Sequence, residues 1–363
     1  MKKDYFLYEN TEVTLFEKNI TNIYDRIDDE ISKQIFINRV NYSITLNPEY
    51  IRNVVLLTDI GKELDSFLSK IGNRPILIYG AGKRGIQLLE VFPNKNWAGF
   101  IDRKKTGMVN DKYQVKPLEE YINLENYFII VSNQIGYKEI EKELINRKVK
   151  ANNIALLEEW NIKLQKKQYI EKRCINLQNV EGYIDGGAFD GEDCLKIISQ
   201  TNKNNLKIWA YEPDIVQYDK CKERFEKYDY ISLINSGLSD IQEKGALEVQ
   251  QNGGTHFASG NLNGIECHMN ALDEMIPNQK IDFIKLDIEG YEEKALWGAK
   301  NIIIGNHPKL AVSVYHKRYD IWRLPSVLLK LDSNYRFKFG HYSVGHVDTV
   351  LYAYIEEKKC LKY

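Results

Sequence analysis

The sequence contains no long apolar run. No stretch is long and apolar enough to cross a membrane, which takes about 20 mostly apolar residues. Residues 1–10 also lack the apolar segment that is typical of a signal peptide. We therefore predict a cytoplasmic protein without a membrane partner.

Cysteine is scarce and scattered. No two cysteines form the Cys-x-x-Cys pair of a zinc ribbon or of a thioredoxin-like redox site. An odd number of isolated thiols favours a reducing compartment. The five cysteines are Cys174, Cys194, Cys221, Cys267 and Cys360.

An excess of charge of either sign is also absent. The chain has 50 lysine and arginine residues against 51 aspartate and glutamate residues, and its net charge is −1. This balance argues against a scaffold that binds nucleic acid. With 363 residues, of which 43% are hydrophobic, the chain is long enough for two or three domains with sizeable cores.

The first half of the chain contains a glycine motif between two predicted strands. After a helical segment at residues 1–70, an apolar strand runs from Ile76 to Tyr79. A Gly-x-Gly-x-x-Gly motif follows and opens a helix, and the next strand ends in an aspartate, where a dinucleotide-binding fold places its ribose-binding carboxylate. We predict a Rossmann-like domain at residues 71–157 that binds a nucleotide or a nucleotide sugar. Its candidate binding residues are Gly80, Gly82, Gly85 and Asp102.

An alternative of equal weight is that this domain only docks or dimerises, and that its glycines only shape the turn. Cations near a helix N-terminus reinforce anion binding and favour a ligand that carries phosphate. The basic residues near the turn are Lys83, Arg84, Arg103, Lys104 and Lys105.

A second glycine turn follows a helical linker at residues 158–179. A strand from Gly182 to Asp185 leads into the turn, and a helix begins near Glu192. Without side-chain bulk, backbone N–H groups of the turn can approach a ligand beyond the carboxyl end of the strand. The alternative is a tight strand–helix connection without a ligand. The candidate residues are Asp185, Gly186, Gly187, Ala188 and Gly191.

Later strands of this second domain, residues 180–363, also end in polar residues. Glu212 follows the strand from Lys207 to Tyr211, where an ionised carboxylate can accept hydrogen bonds from both ribose hydroxyls. The last two strands predict an antiparallel hairpin at the sheet edge. The polar residues that follow the third, fourth and fifth strands are Ser236, Asp287 and His316.

Between the third and fourth strands, region 241–270 has few helix signals. Residues 251–255 and 259–264 are rich in glycine and asparagine and are predicted to be loops. These loops either cover an acceptor site or form a plain surface insertion.

Three motifs of the second half resemble the FkbM family of S-adenosylmethionine-dependent methyltransferases. They are Tyr-Ile-Asp-Gly-Gly-Ala-Phe-Asp-Gly at 183–191, Tyr-Glu-Pro-Asp at 211–214 and Ile-Asp-Phe-Ile-Lys-Leu-Asp-Ile-Glu-Gly-Tyr-Glu at 281–292. The resemblance implies an α/β fold of class I (Rossmann-like), with a seven-stranded, mostly parallel sheet after the smaller Rossmann-like α/β domain. It also implies methyl transfer to a hydroxyl on a sugar, a glycan precursor or a related small molecule.

The resemblance also implies roles for single residues. Asp185 and the turn at Gly186 and Gly187 would hold the methionine part of S-adenosylmethionine, and Glu212 would hold the ribose. Ser236 would lie near the adenine, and Asp287 would lie beside the site of transfer.

His316 is the best candidate for a catalytic base, because it follows the carboxyl end of the fifth strand. Asp287 is a second candidate, and a purely structural role for His316 is the alternative. Asp287, Glu289 and His316, together with His341 or His346, are also candidate ligands for a divalent metal such as Mg²⁺ or Mn²⁺.

Two other functions remain open from the sequence. The first is a NAD- or nucleotide-sugar-dependent oxidoreductase that uses the glycine motif at 80–85, and the second is a nucleotide-binding scaffold. That N-terminal motif resembles, more weakly, nucleotide-sugar-binding domains that precede some sugar acyltransferases. The predicted partner is a small-molecule acceptor, either a sugar or a nucleotide sugar. The sequence leaves open whether the chain forms a homo-oligomer.

Overall fold

The computed structural model describes residues 11–202, 205–249, 255–259 and 265–356. The chain divides into two compact units. The N-terminal unit contains Ile37–Gln168 and His341–Thr349, and the C-terminal unit contains the chain up to Phe36, Tyr169–Gly340 and the chain from Val350 on. No helix among the described residues is long and apolar enough to cross a membrane.

The N-terminal unit is built around a six-stranded sheet with strand order β3-β4-β2-β1-β5-β6. All neighbours are parallel except β3 and β4, which form an antiparallel pair. The helices and strands, from the start of the described chain, are α1 (Thr11–Tyr24), α2 (Glu30–Thr45), α3 (Pro48–Leu57), α4 (Asp59–Lys70), β1 (Ile76–Tyr79), α5 (Lys83–Val91), β2 (Trp97–Ile101), β3 (Gly107–Val109), β4 (Tyr113–Lys116), β5 (Phe128–Val131), α6 (Tyr137–Asn146), β6 (Ile154–Leu156) and α7 (Leu157–Gln165).

Central strands of this sheet are apolar along their whole length. All four residues of β1 and all four residues of β5 are buried, as expected for parallel strands that are covered on both faces. Helix α3 begins at Asn47, whose side chain accepts the N–H of Glu49, and Pro48 occupies the first helical position. Local sequence and packing therefore agree in this unit.

The C-terminal unit is built around a seven-stranded sheet with strand order β16-β17-β15-β14-β7-β8-β9. Strands β9, β8, β7, β14 and β15 pair in parallel, and β17 runs antiparallel to β15. The predicted fold class is confirmed. The elements are β7 (Gly182–Gly186), α8 (Glu192–Ile198), β8 (Lys207–Tyr211), α9 (Ile215–Phe225), β9 (Ile231–Ile234), β10 (Gly237–Leu238), β11 (Glu243–Val249), β12 (Thr255–Ser259), β13 (Ile265–Asn270), α10 (Leu272–Met275), β14 (Phe283–Leu286), α11 (Glu292–Gly298), α12 (Lys300–Asn306), β15 (Lys309–Ser313), α13 (Asp320–Leu331), β16 (Arg336–His341) and β17 (Thr349–Tyr354).

Strands β10 to β13 form a separate small sheet with strand order β10-β13-β11-β12. Residues 251–254 and 260–264 of the predicted loops lie outside the described residues, and the segments around them are strands. In β13, Cys267 and Met269 are buried while Glu266 and His268 are exposed. This two-residue alternation is typical of a strand, and it lies just after the second predicted loop.

Candidate active site

A cavity of about 310 Å³ opens in the C-terminal unit, next to the carboxyl ends of β7, β8 and β14. Ligands of parallel α/β sheets bind at this edge. The lining residues are Gly187, Phe189, Asp193, Tyr211, Glu212, Pro213, Asp214, Gln217, Gly237, Leu238, Leu247, Met269, Asp287, Ile288, Glu289 and Tyr291.

The glycine turn is held by the neighbouring strand. The N–H groups of Gly187 and Ala188 both donate to the carbonyl of Tyr211, each over 3.0 Å, and the N–H of Phe189 donates to Glu212. The N–H groups of the turn were expected near a ligand, but those of Gly187, Ala188 and Phe189 point to the end of β8. Gly187 has φ +79°, and a Cβ there would lie 2.0 Å from the carbonyl oxygen of Asp287. The glycine is therefore required by close backbone packing.

Asp185 lies inside the sheet, where its side chain is fully buried. Its Oδ1 atom is 3.1 Å from Nζ of Lys285, which also donates to the carbonyl of Gly187 over 2.6 Å. Burial raises the pKa of Asp185, and Lys285 opposes that rise. Asp185 is not among the residues that line the cavity, so the structure connects it to the turn through Lys285.

Glu212 lines the cavity at the end of β8. Its Oε2 accepts the N–H of Phe189 over 2.7 Å, and its Oε1 accepts the N–H of Asp214 over 2.9 Å. Burial raises the pKa of Glu212 to about 7, although both N–H donors act to lower it. Each carboxylate oxygen can accept more than one hydrogen bond, so Glu212 retains capacity for hydroxyl donors.

Ser236 is buried, and its hydroxyl is engaged on all sides. Its single proton lies within hydrogen-bond reach of the carbonyl oxygens of Gly237, at 2.8 Å, and His268, at 3.1 Å, and its oxygen accepts from Asn270 Nδ2 over 2.8 Å. Ser236 does not line the cavity, whereas its neighbours Gly237 and Leu238 do. The turn after β9 therefore reaches the cavity as predicted, but the side chain of Ser236 is not part of the cavity wall.

Asp287 follows β14 and lines the cavity beside two tyrosines. Its Oδ2 accepts the hydroxyl of Tyr169 over 2.7 Å, and its Oδ1 accepts the hydroxyl of Tyr315 over 3.3 Å. Burial acts to raise the pKa of Asp287, but His316 and Lys285 outweigh it and the pKa is lowered. Asp287 is therefore held as a carboxylate.

His316 lies among three carboxylates. Its Nδ1 is 2.9 Å from Oε1 of Glu292, and its Nε2 is 3.5 Å from Oδ1 of Asp287 and 3.7 Å from Oε2 of Glu289. Burial acts to lower the pKa of His316, but the carboxylates, Glu292 foremost, raise it to about 10. Without a bound cation the ring is therefore protonated near neutral pH and cannot accept a proton there, contrary to the expected role as base.

The two other candidate metal-ligating histidines lie in the N-terminal unit. Nδ1 of His341 is 2.9 Å from Oγ1 of Thr349, and Nδ1 of His346 is 2.9 Å from Nε2 of Gln87. Among the described residues, the group that could hold a metal ion is Asp287, Glu292 and His316.

The N-terminal glycine motif forms a turn that is braced by side chains. A Cβ on Gly80 would lie 2.7 Å from Oγ of Ser132, and a Cβ on Gly85 would lie 2.2 Å from the carbonyl oxygen of Gly80. Of the three glycines Gly80, Gly82 and Gly85, only Gly82 has no atom within 4 Å of the position that a Cβ would take. Two of them therefore serve the packing of strand against helix.

Asp102 supports this turn as well. Its Oδ2 accepts the N–H of Ala81 over 2.8 Å, and its Oδ1 accepts the N–H groups of Lys104 and Lys105. Burial opposes these bonds, but the net effect lowers the pKa of Asp102. Nucleotide binding by this unit stays a prediction.

Several of the basic residues near the N-terminal turn have partners. Arg84 pairs with Glu158, and Arg103 pairs with Glu143 over 2.6 Å. Lys105 donates to the carbonyl of Ala81 over 3.1 Å. These three side chains therefore already serve the unit's own structure.

Two residues of the site were missed in the sequence. Lys285 is a lysine inside the apolar strand Phe-Ile-Lys-Leu, and a buried charge in such a strand indicates a buried partner. Tyr169 reaches Asp287 from 118 residues away, and no local pattern indicates that contact.

The chain is similar to solved structures at low identity. One is a methyltransferase FkbM from Methylobacillus flagellatus, 16% identical, with 87% of this chain and 99% of that chain covered and a TM-score of 0.48. Another is an O-methyltransferase from Bacillus cereus in complex with SAH, 10% identical, with 60% of this chain and 90% of that chain covered and a TM-score of 0.33. No curated protein matches.

A family model matches the part of the chain that carries the cavity. It is the methyltransferase FkbM domain, and the matched residues are 185–351. This range includes the second glycine turn, Glu212, Asp287 and His316. Residues 185–351 of the chain are therefore similar to the methyltransferase FkbM domain.

Proposed function

We propose that the C-terminal domain transfers the methyl group of S-adenosylmethionine to a hydroxyl of a sugar, a glycan precursor or a related small molecule. The observation that carries this proposal is one cavity with two different polar regions. Glu212 lies in the wall that the end of β8 supplies, and Asp287 and Glu289 lie in the wall that follows β14. The first region suits a ribose, and the second suits an acceptor hydroxyl.

The cofactor part of the cavity fits a nucleoside. Glu212 supplies carboxylate oxygens for two hydroxyl donors, and the apolar side chains of Leu238, Leu247 and Met269 suit a flat aromatic base. Lys285 holds the glycine turn in place by donating hydrogen bonds to the carbonyl oxygens of Gly186 and Gly187. S-adenosylmethionine supplies a methyl group on a sulfonium and leaves as a neutral thioether.

The acceptor part of the cavity suits a molecule with several hydroxyls. Asp193 and Glu289 add carboxylate acceptors to its wall, and Phe189 and Tyr291 add ring surfaces. Phe189 is 60% exposed, so its ring is free to pack against the C–H face of a sugar. Positioning of this kind supplies much of the rate in a displacement reaction, about 7–11 kcal/mol in well-oriented systems.

Asp287 is the residue that takes the acceptor proton in this proposal. The acceptor oxygen becomes strongly acidic as the new C–O bond forms and the C–S bond breaks, so a carboxylate of low pKa suffices as the proton acceptor. Tyr169 donates to Oδ2 of Asp287, and Oδ1, which accepts the Tyr315 hydroxyl over 3.3 Å, can accept a second hydrogen bond from the acceptor. His316 offsets the negative charge of the three nearby carboxylates.

Calorimetric titration with S-adenosylmethionine and S-adenosylhomocysteine tests the cofactor part of the proposal. We expect saturable binding that Glu212→Gln weakens about tenfold or more, since a hydrogen bond to a charged group contributes roughly 1.5–3 kcal/mol. Glu226→Gln, an exposed change at the end of α9, is the matched control and should bind like the wild type.

The acceptor part is tested with methyl-labelled S-adenosylmethionine and a panel of glycosides and nucleotide sugars. Label in a hydroxyl-derived methyl ether supports the proposal, and NMR of the product locates the methyl group. Label on nitrogen or carbon only, or a wild-type protein that binds neither cofactor form, would contradict it.

A further inference from the structure

The side chain of His316 is 8% exposed, and one of its ring nitrogens lacks a hydrogen-bond partner. Among the described residues, no donor or acceptor completes a hydrogen bond with Nε2. This atom lies 3.5 Å from Oδ1 of Asp287 and 3.7 Å from Oε2 of Glu289, and both carboxylates line the cavity. A buried nitrogen without a partner, beside two carboxylates at a cavity, calls for a ligand.

We propose that Nε2 of His316, a carboxylate oxygen of Asp287 and a carboxylate oxygen of Glu289 bind a divalent cation of the Mn²⁺ type. This inference rests on the proposed function, because the cation would lie at the acceptor side of the same cavity. It adds a metal site and a class of acceptor to that function.

The two distances from Nε2 of His316 are close to those expected for ligands of one metal ion. A cation about 2.1 Å from each ligand atom separates two ligand atoms by about 3.0–3.6 Å at angles between 90° and 120°. The distance of 3.5 Å from Nε2 to Asp287 falls within this range, and the distance of 3.7 Å to Glu289 lies just above it. The side chain of Glu289 is 55% exposed.

Glu292 has the position of a residue that orients a metal-binding histidine. Its Oε1 accepts the N–H of Ile288 and lies 2.9 Å from Nδ1 of His316. The two ring nitrogens point in opposite directions, so a carboxylate at Nδ1 leaves Nε2 for the metal. A histidine ligand usually donates its other N–H to such a carboxylate. The nearest ligand atoms of Asp287, Glu292 and His316 lie within 4.8 Å of one another.

The donor set favours Mn²⁺ over Mg²⁺ because it combines one imidazole nitrogen with two carboxylate oxygens. Three protein ligands leave open positions on a six-coordinate ion. An acceptor with two adjacent oxygen atoms, such as a vicinal diol or an α-hydroxy carbonyl, can fill two of them. A cation lowers the pKa of a hydroxyl that it contacts, which eases loss of the acceptor proton.

The test is a titration of the full chain with MnCl₂, in which the electron paramagnetic resonance signal of free Mn²⁺ measures how much of the ion is bound. We expect one saturable site per chain in the wild type. Glu289→Gln and His316→Gln should each weaken Mn²⁺ binding at least tenfold, and Glu292→Gln should weaken it about 10–100-fold. Glu293→Gln is the control, since that carboxylate pairs with Arg323 outside the cluster, and it should bind Mn²⁺ like the wild type.

Each variant is also titrated with S-adenosylhomocysteine in EDTA, and its far-UV circular dichroism is recorded. Absence of saturable Mn²⁺ binding, or equal binding by the wild type and the exposed, folded Glu289→Gln variant, overturns the cation site. If S-adenosylhomocysteine still binds in that case, the proposed function stands alone. If Mn²⁺ binds at this cluster and neither cofactor form does, the cation site stands and the methyl-transfer proposal fails.

Discussion

Lys285 and Asp185 form a buried ion pair at the centre of the seven-stranded sheet, with Nζ of Lys285 3.1 Å from Oδ1 of Asp185. Their strands are neighbours, and the two residues are register partners in the β14–β7 pair. Asp185 raises the pKa of Lys285 against the effect of burial, which favours the neutral amine. Since Lys285 also donates to Gly187, the pair couples the sheet to the turn beside the cavity.

Removal of one partner of this pair should destabilise the protein strongly. We expect Lys285→Ala to lower the free energy of unfolding by about 3–5 kcal/mol, because it leaves the Asp185 carboxylate buried without its counter-charge. Urea unfolding measures this, and Lys207→Ala, at an exposed position on β8, should change stability by less than about 0.5 kcal/mol. The double change Lys285→Met with Asp185→Leu should recover most of the loss; a double variant as unstable as the single one would contradict an electrostatic cause.

Glu212 should give the stability of the protein a distinct pH dependence. Burial raises its pKa from 4.5 to about 7, so the folded state favours the protonated carboxyl. Its contribution to stability is therefore full below about pH 4.5 and is lost as the pH rises through 7. The difference in unfolding free energy between Glu212→Gln and the wild type should rise by roughly 3 kcal/mol across that window. Glu226→Gln should show no such rise, and a flat difference for Glu212→Gln would refute the shift.

The hydroxyl of Tyr169 should contribute more to the free energy of unfolding than the hydroxyl of an ordinary buried tyrosine does. Its hydroxyl donates to the Asp287 carboxylate over 2.7 Å, whereas the hydroxyl of Tyr335 donates to the neutral carbonyl of Pro308 over 2.9 Å. Hydrogen bonds to charged groups contribute about 1.5–3 kcal/mol, and neutral ones about 0.5–1.5 kcal/mol. Tyr169→Phe should therefore cost more in urea unfolding than Tyr335→Phe. Equal costs would mean that the charge of Asp287 adds nothing to this contact.

The two glycine turns should respond differently to alanine. Gly187→Ala places a Cβ 2.0 Å from a backbone oxygen at a φ of +79°, so we expect a loss of more than about 2 kcal/mol and weakened binding of S-adenosylhomocysteine. Gly82→Ala meets nothing within 4 Å and should change the midpoint of thermal unfolding by only a few degrees. A stable Gly187→Ala variant would show that the turn can relax away from Asp287.

The strand-end residues show how far the sequence predicts this molecule. Strands β1 and β8 have the bounds read from their apolar runs, because parallel strands that are buried on both faces leave continuous apolar sequence. Glu212 and Asp287 reach the cavity for the same reason, since carboxyl ends of parallel strands share one edge. The direction of a side chain beyond the strand is not predictable in this way, and Ser236 and Asp185 therefore point elsewhere than expected.

Most of the features that the sequence does not predict depend on partners that are distant in the chain. The turn N–H groups could not be assigned to the Tyr211 carbonyl and Glu212 before the packing of β7 against β8 was known. The protonated ring of His316 depends on Glu292, which is 1% exposed and lies 24 residues away in the chain. Tyr169 enters the site at a left-handed φ of +66°, which tyrosine seldom adopts and the sequence does not indicate.

The division of the chain into two interleaved units has a consequence for folding. Neither unit is one continuous segment, since the chain changes unit after Phe36, Gln168, Gly340 and Thr349. Strand β17, which pairs with β15 in the large sheet, follows every other described strand in the chain. Helix α1, near the start of the described residues, packs against α13, which lies near their end. Contacts of such long sequence separation slow folding and lengthen the time for which apolar surface is exposed, so the C-terminal unit is expected to complete its packing late in folding.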